Sequence, residues 1–184
     1  SEANDTALKL VWYYHHAIGK PAKRKIIGRA MGYHGSTSAS ISASGKFDMH
    51  ADFGLPFPGF LHTEYPHYYR NHFDGESEEQ YATRLADAFE QLILREGPDT
   101  VGAFIGEPAM GAGGGLTPPH TYWDKMQAVM RKYDLLFIAD EVICGFGRTG
   151  NMWGSDTYAL RPDMISCAKA LSPSPAIWRT WVGM

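Results

Sequence analysis

The chain has 184 residues, room for one sizeable domain and too few for two ordinary ones. Hydrophobic residues make up 44% and charged residues 20%, the balance of a soluble globular protein. A net charge of -3 leaves no basic excess to attract nucleic acid or an anionic membrane surface, and no apolar run approaches the length of a membrane-spanning helix.

Residues 1–18 read as a helix, with Ser1 as its cap and Ala3, Ala7, Leu8, Leu10 and Val11 on its apolar side. The chain opens inside this helix-start pattern and without a Met, so the expectation is that the natural N-terminus lies upstream. The first residues lack the basic stretch and apolar core of a signal peptide. Lys20-Pro21 ends the helix. Lys25 to Ala30 reads as a short buried strand, followed by the turn Gly32-Tyr33-His34-Gly35 and a small-residue helix over Ser36–Ser44. Residues 45–75 carry Gly, Pro, His and aromatics with no steady period and read as a long irregular excursion with one strand near Phe60–Thr63; such excursions are often functional.

Residues 77–96 form the clearest amphipathic helix, with Tyr81, Leu85, Ala88, Phe89, Leu92 and Ile93 at helical spacing and Gly97-Pro98 as its stop. Val101 to Ile105 is a strand and Gly111–Gly115 a flexible loop. A helix from about His120 to Tyr133 places Pro119 in its first turn. Leu135 to Ala139 is a continuous apolar strand, as a parallel sheet covered on both faces requires. Gly145–Gly150 is loop, and Met164 to Ala168 a last short strand. Strands alternating with helices predict a three-layer α/β sandwich with a mainly parallel sheet, whose ligands bind beyond the carboxyl ends of the strands. That edge carries Tyr33, Glu107 and Asp140. Cys144 and Cys167 show no metal-type spacing; the expectation is two buried free thiols in a reducing compartment, read as cytoplasmic. The eight histidines are scattered, with no zinc spacing.

Asp140 follows an apolar strand, where a carboxylate is costly without a partner. It either caps the next turn or faces a cation such as a protonated ring nitrogen. Lys169 follows the last strand. It is either a surface lysine or an amine in a partly dry pocket, where lost proton affinity makes it a nucleophile toward an aldehyde. Tyr33 is either a packing aromatic or a flat cover for a planar ring. Glu107 could be a polar strand terminus. Gly111–Gly115 lacks the Lys-Ser/Thr and the following helix that a phosphate loop needs, so a close-packed turn is the favoured reading there.

Five segments, in order, resemble class III (omega-type) pyridoxal-phosphate aminotransferases of fold type I. They are Ser1-Glu2-Ala3-Asn4-Asp5, Tyr33-His34-Gly35-Ser36-Thr37, Gly106-Glu107-Pro108 with Gly111–Gly114, Ile138 to Gly150, and Ala168-Lys169-Ala170-Leu171. The resemblance implies an incomplete large domain over residues 1–171 that binds pyridoxal 5'-phosphate. It implies that Lys169 holds the cofactor as an internal aldimine and shuttles a proton. It further implies Asp140 on the pyridine nitrogen, Tyr33 on one ring face, Val142 on the other, Ser1 at the phosphate, Glu107 near the ring and Asp140, and His34 beside the stacking residue. The implied reaction is ping-pong amino transfer from a small-molecule amine donor to a keto acid acceptor, pyruvate by the closest wording. The resemblance also implies a full-length homodimer or homotetramer.

Members of that family are more than twice as long. The small domain and its substrate-binding arginine are expected to be missing here, so the chain alone is expected to be inactive. Residues 172–184, with two prolines and two tryptophans, depart from the family pattern and are expected to pack poorly. The competing readings are another fold-type-I enzyme, a decarboxylase or aminomutase, and a non-catalytic remnant.

Overall fold

A computed structural model gives the structure of residues 1–171; the tail 172–184, and the expectation that it packs poorly, lie outside the described residues. Five strands, β1 (Lys25–Arg29), β2 (Phe60–Thr63), β3 (Val101–Gly106), β4 (Leu136–Asp140) and β5 (Met164–Ser166), form one sheet in the order β2-β1-β3-β4-β5. Every pairing is parallel. Six helices accompany it: α1 (Glu2–Ala17), α2 (Ser38–Ala43), α3 (Tyr68–Asn71), α4 (Glu78–Glu96), α5 (Tyr122–Lys132) and α6 (Gly154–Thr157).

The three layers follow from the two-residue period of the strands. Ile26, Ala103, Ile105 and Ile138 point to one face, where Ala7, Leu8 and Val11 of α1 cover them. Ile27, Phe104, Phe137 and Ala139 point to the other, against Leu85 and Phe89 of α4 and Trp123 and Met126 of α5. With both faces dry, the strands read as nearly unbroken apolar runs. The long helix α4 starts with a reciprocal cap: the Gln80 N–H donates to Ser77 Oγ at 3.2 Å and the Ser77 N–H to Gln80 Oε1 at 2.8 Å. It stops at Gly97, whose φ of +89° a side chain would resist.

Strand order reverses between β1 and β3, and the crevice past their carboxyl ends is the favoured ligand position in such a sheet. Several expectations need correction. Ser1 stands at the N-cap of α1 but makes no side-chain cap; its hydroxyl is used elsewhere. Helix α5 begins only at Tyr122, after Thr121 with φ +68°, so Pro119 precedes the helix rather than entering its first turn. Residues 45–75 are irregular as expected, apart from β2, α3 and a 3₁₀ turn at Phe47–Met49. Gly111–Gly115 is a tight turn closed by the Met110–Leu116 bridge, not a flexible loop. A Cβ at Gly111 would lie 2.1 Å from Ile143 Cδ1, which bears out close packing. Among the described residues no helix is long and apolar enough to cross a membrane.

Candidate active site

Asp140 is the last residue of β4, on the same face as Ile138, and is 2% exposed. Its Oδ2 accepts from Asn4 Nδ2 at 2.9 Å and meets His34 Nδ1 at 2.8 Å; its Oδ1 accepts the Val142 N–H at 3.2 Å. Burial alone would push this carboxyl upward. The hydrogen bond and charge of His34, the Asn4 amide and the Val142 N–H outweigh that and hold it below the usual carboxylate range. The group is therefore a buried, ionised acid. Since an ionised carboxylate only accepts, His34 Nδ1 must carry the shared proton. Val142, half-buried, borders the acid through its own backbone.

Tyr33 and His34 lie on the turn after β1. The Tyr33 N–H donates to Glu107 Oε1 at 3.1 Å, and Tyr33 remains 37% exposed. Glu107 is the first residue past β3 and also takes Arg29 Nη2 on Oε2 at 2.9 Å. Arg29 closes β1, is fully buried, and lies 5.1 Å over the Trp123 ring. Glu107 thus holds the tyrosine turn across the β1–β3 crevice. Among the described residues it makes no hydrogen bond to Asp140.

Ser1 meets the same turn from the other side. Its Oγ accepts the Ser36 N–H at 2.9 Å, and its carbonyl takes Ser40 Oγ at 3.0 Å. The approach requires a glycine at 35: a Cβ there would stand 2.7 Å from both Cα and Oγ of Ser1, and φ is +138°. The start of α1, the tyrosine turn and the ends of β3 and β4 are thereby fastened into one cradle.

Lys169 lies at the same edge of the sheet. β5 ends at Ser166, not at Ala168, and Ser166 is in register with Asp140. The Glu141 N–H donates to Ser166 O at 2.8 Å, tying the two strand exits together. Lys169 opens a 3₁₀ turn with φ +46°, a conformation sparsely used by side-chain-bearing residues. Its side chain is exposed and makes no hydrogen bond or ion pair with the described residues. Cys144 is buried as expected, but in a turn rather than a strand. Its thiol is pushed up by burial. Cys167 is only half-buried, which corrects the other half of that expectation.

Three members of the cradle went unassigned in the sequence. Asn4 occupies the apolar stripe of α1 with Ala7, Leu8 and Val11, and a polar residue in such a stripe is the signal that could have found it. Arg29 at the end of an apolar strand is the same signal. Glu141, fully buried, accepts from the Gly154 N–H at 2.9 Å and from the Ser155 N–H and hydroxyl at 2.6 Å each, which pins the start of α6. Among the described residues no group of three or more potential metal ligands occurs.

A parallel α/β sheet with a buried acid and a lysine at adjoining strand exits places both groups at the edge where α/β proteins of this class bind ligands. Residues 1–175 match the family Aminotransferase class-III, and the chain belongs to it. Vanillin aminotransferase of Capsicum frutescens is 61% identical over 172 residues, which are 94% of this chain and 38% of that protein. Gamma aminobutyrate transaminase 1, mitochondrial, of Solanum lycopersicum is 60% identical, over 94% of this chain and 33% of that protein. The omega transaminase from Pseudomonas jessenii, solved in complex with PMP, superposes with a TM-score of 0.93 at 59% identity, over 95% of this chain and 39% of that one. The fold is that of the fold-type-I transaminase large domain, of which the chain contains a part. It spans between 33% and 38% of the length of these two curated relatives.

Proposed function

We propose that this chain is the cofactor-bearing part of a transaminase that moves an amino group from an amine or amino acid to a keto acid, pyruvate by preference, with pyridoxal 5'-phosphate as cofactor and Lys169 as its covalent anchor. The observation that carries the reading is the state of Asp140: buried, ionised and clamped, one strand away from the segment that bears Lys169.

The donor set fits a pyridoxal group. Among the described residues Asp140 Oδ1 accepts one long hydrogen bond and keeps capacity for an N–H, as a protonated pyridine nitrogen presents. When bound, the cofactor supplies an electron sink for the negative charge left at the substrate carbon. Asp140 keeps the ring nitrogen protonated. Tyr33, held by Glu107, would stack on one face of the ring, and Val142 would pack on the other. Ser1 and the backbone at the start of α1 offer donors to the phosphate, where a helix terminus favours an anion. His34 braces Asp140. Lys169 would hold the cofactor, and its amine would serve as the proton carrier for the reaction.

The omega-type specificity belongs to the same reading and rests on the named neighbours; activity only in the full-length protein and assembly as a homodimer or homotetramer rest on the family resemblance and on the share of its relatives that the chain spans. A cytoplasmic location rests on the two free thiols, and the mitochondrial label of the tomato relative is its rival; imaging a tagged full-length protein separates the two.

The test is to express the full-length protein, add pyridoxal phosphate, and record its absorbance with and without an amine and pyruvate. The reading expects a protein-bound visible band, absent in Lys169→Ala, and equal amounts of alanine and carbonyl product. A band that survives in Lys169→Ala, or carbon dioxide in place of alanine, would overturn it.

A further inference from the structure

The amide of Asn4 touches two of the three parts of the cradle from its seat on the third. It sits in the first turn of α1. Its Nδ2 donates to the His34 carbonyl at 2.6 Å and to Asp140 Oδ2 at 2.9 Å. A primary amide nitrogen has two protons, and each meets one oxygen. The orientation is fixed by chemistry: reversing the amide would set Oδ1 against a carboxylate and a carbonyl, both of which only accept. In the orientation seen, Oδ1 is buried without a partner among the described residues. A buried amide that leaves its oxygen unsatisfied is costly, so its two donated bonds must outweigh that cost. The residue is 2% exposed, and packing alone would be served better by an apolar side chain.

We propose that Asn4 is a positioning residue for the Asp140 carboxylate, fixing which oxygen the acid leaves free for its ligand and binding that choice to the tyrosine turn. Asn4 and His34 both occupy Oδ2. Oδ1 is left with the Val142 N–H alone, at 3.2 Å. Without the amide, the carboxylate is held by one imidazole N–H and one backbone N–H, and its rotation about the last bond is less restricted. The turn bearing Tyr33 and His34 loses one of its ties to α1 in the same stroke, keeping the bond from the Ser36 N–H to Ser1 Oγ. This inference rests on the reading of Asp140 as the partner of the ring nitrogen.

The experiment is a double-mutant cycle in the full-length holoenzyme: Asn4→Ala, Asp140→Asn and the pair, with Asn4→Asp as a near-isosteric variant in case Asn4→Ala folds poorly. Two signals are read. One is the rate of a single turnover with amine alone. The other is the ¹⁵N resonance of ring-labelled pyridoxal phosphate, which reports directly on ring protonation. Asn4→Ala is expected to slow the turnover about tenfold, the effect of one lost hydrogen bond to a charged group. It is also expected to release the ring proton within a window of about pH 6–9 where the parent retains it. In the Asp140→Asn background the same change should cost less than about twofold, because nothing remains to be positioned. A ring signal in Asn4→Ala and Asn4→Asp that matches the parent would overturn the proposal, and so would an Asn4 effect undiminished in the Asp140→Asn background. An Asp140→Asn enzyme with an unchanged ring signal would instead overturn the ring-nitrogen reading itself, and the inference with it.

Discussion

Replacing Arg29 by Met tests how the Tyr33 turn is held. The guanidinium is fully buried, with Nη2 at 2.9 Å from Glu107 Oε2 and the Trp123 ring 5.1 Å away, while Nε and Nη1 have no partner among the described residues. Removing one member of a buried ion pair strands the other, a loss of about 3–5 kcal/mol. Arg29→Met would leave the Glu107 carboxylate, itself 4% exposed, with only the Tyr33 N–H. Glu107→Gln would strand the cation in turn. The double variant Arg29→Met/Glu107→Gln carries neither charge, so its cost should fall short of the sum of the singles by about 2 kcal/mol or more. Urea unfolding followed by tryptophan fluorescence measures all three, and Arg29→Met should lower Tm by roughly 6–20 °C for a chain of this size. If Arg29→Met costs under about 1 kcal/mol, or the two single effects simply add, the pair is not coupled and the account of the turn is wrong.

Gly35→Ala places a methyl group 2.7 Å from Ser1 at a φ of +138°, so α1 must back away from the turn; cofactor affinity in the full-length enzyme should fall at least tenfold, and a fluorescence titration with unchanged affinity would refute the cradle. Tyr33→Ala should loosen the cofactor while leaving folding intact, since the residue is 37% exposed; unaltered affinity would leave Tyr33 as packing only. Burial, together with the neighbouring His50, depresses the His62 imidazole from 6.5 to about 4. The unfolded chain then binds this proton at higher pH than the folded chain. Its contribution is full above pH 6.5 and is lost as pH drops from 6.5 to 4, by about 2–3 kcal/mol once its incomplete burial is discounted. His62→Gln should flatten that stretch of the stability curve, and an identical slope in parent and variant would refute it.

Much of the fold was legible because parallel strands covered on both faces must be apolar throughout. Ile26-Ile27, Val101–Ile105 and Leu136–Ala139 announce themselves, and the period of Tyr81 to Ile93 does the same for α4. The helices α3 and α6 stayed hidden, because four residues are too few to show a helical period. In the site, Asp140, Tyr33 and Glu107 could be placed at strand exits from local pattern alone. Their partners could not: Asn4 lies 136 residues from Asp140 and Arg29 lies 78 from Glu107, and no local rule pairs residues so far apart. What the sequence did carry was a mismatch, an amide and a guanidinium on surfaces otherwise apolar. Ser1 failed as a cap because its hydroxyl is committed to the tyrosine turn, a competition visible only once the two segments meet.

The central claim is that one planar ring lies between the acid at the end of β4 and the amine just past β5. A crystal structure of the full-length protein grown with pyridoxal phosphate measures this directly. The account predicts a carboxylate oxygen of Asp140 within hydrogen-bond distance of the ring nitrogen, and Lys169 Nζ bonded to the opposite end of the same ring. A cofactor held by a different lysine, or a ring nitrogen out of reach of Asp140, would contradict it.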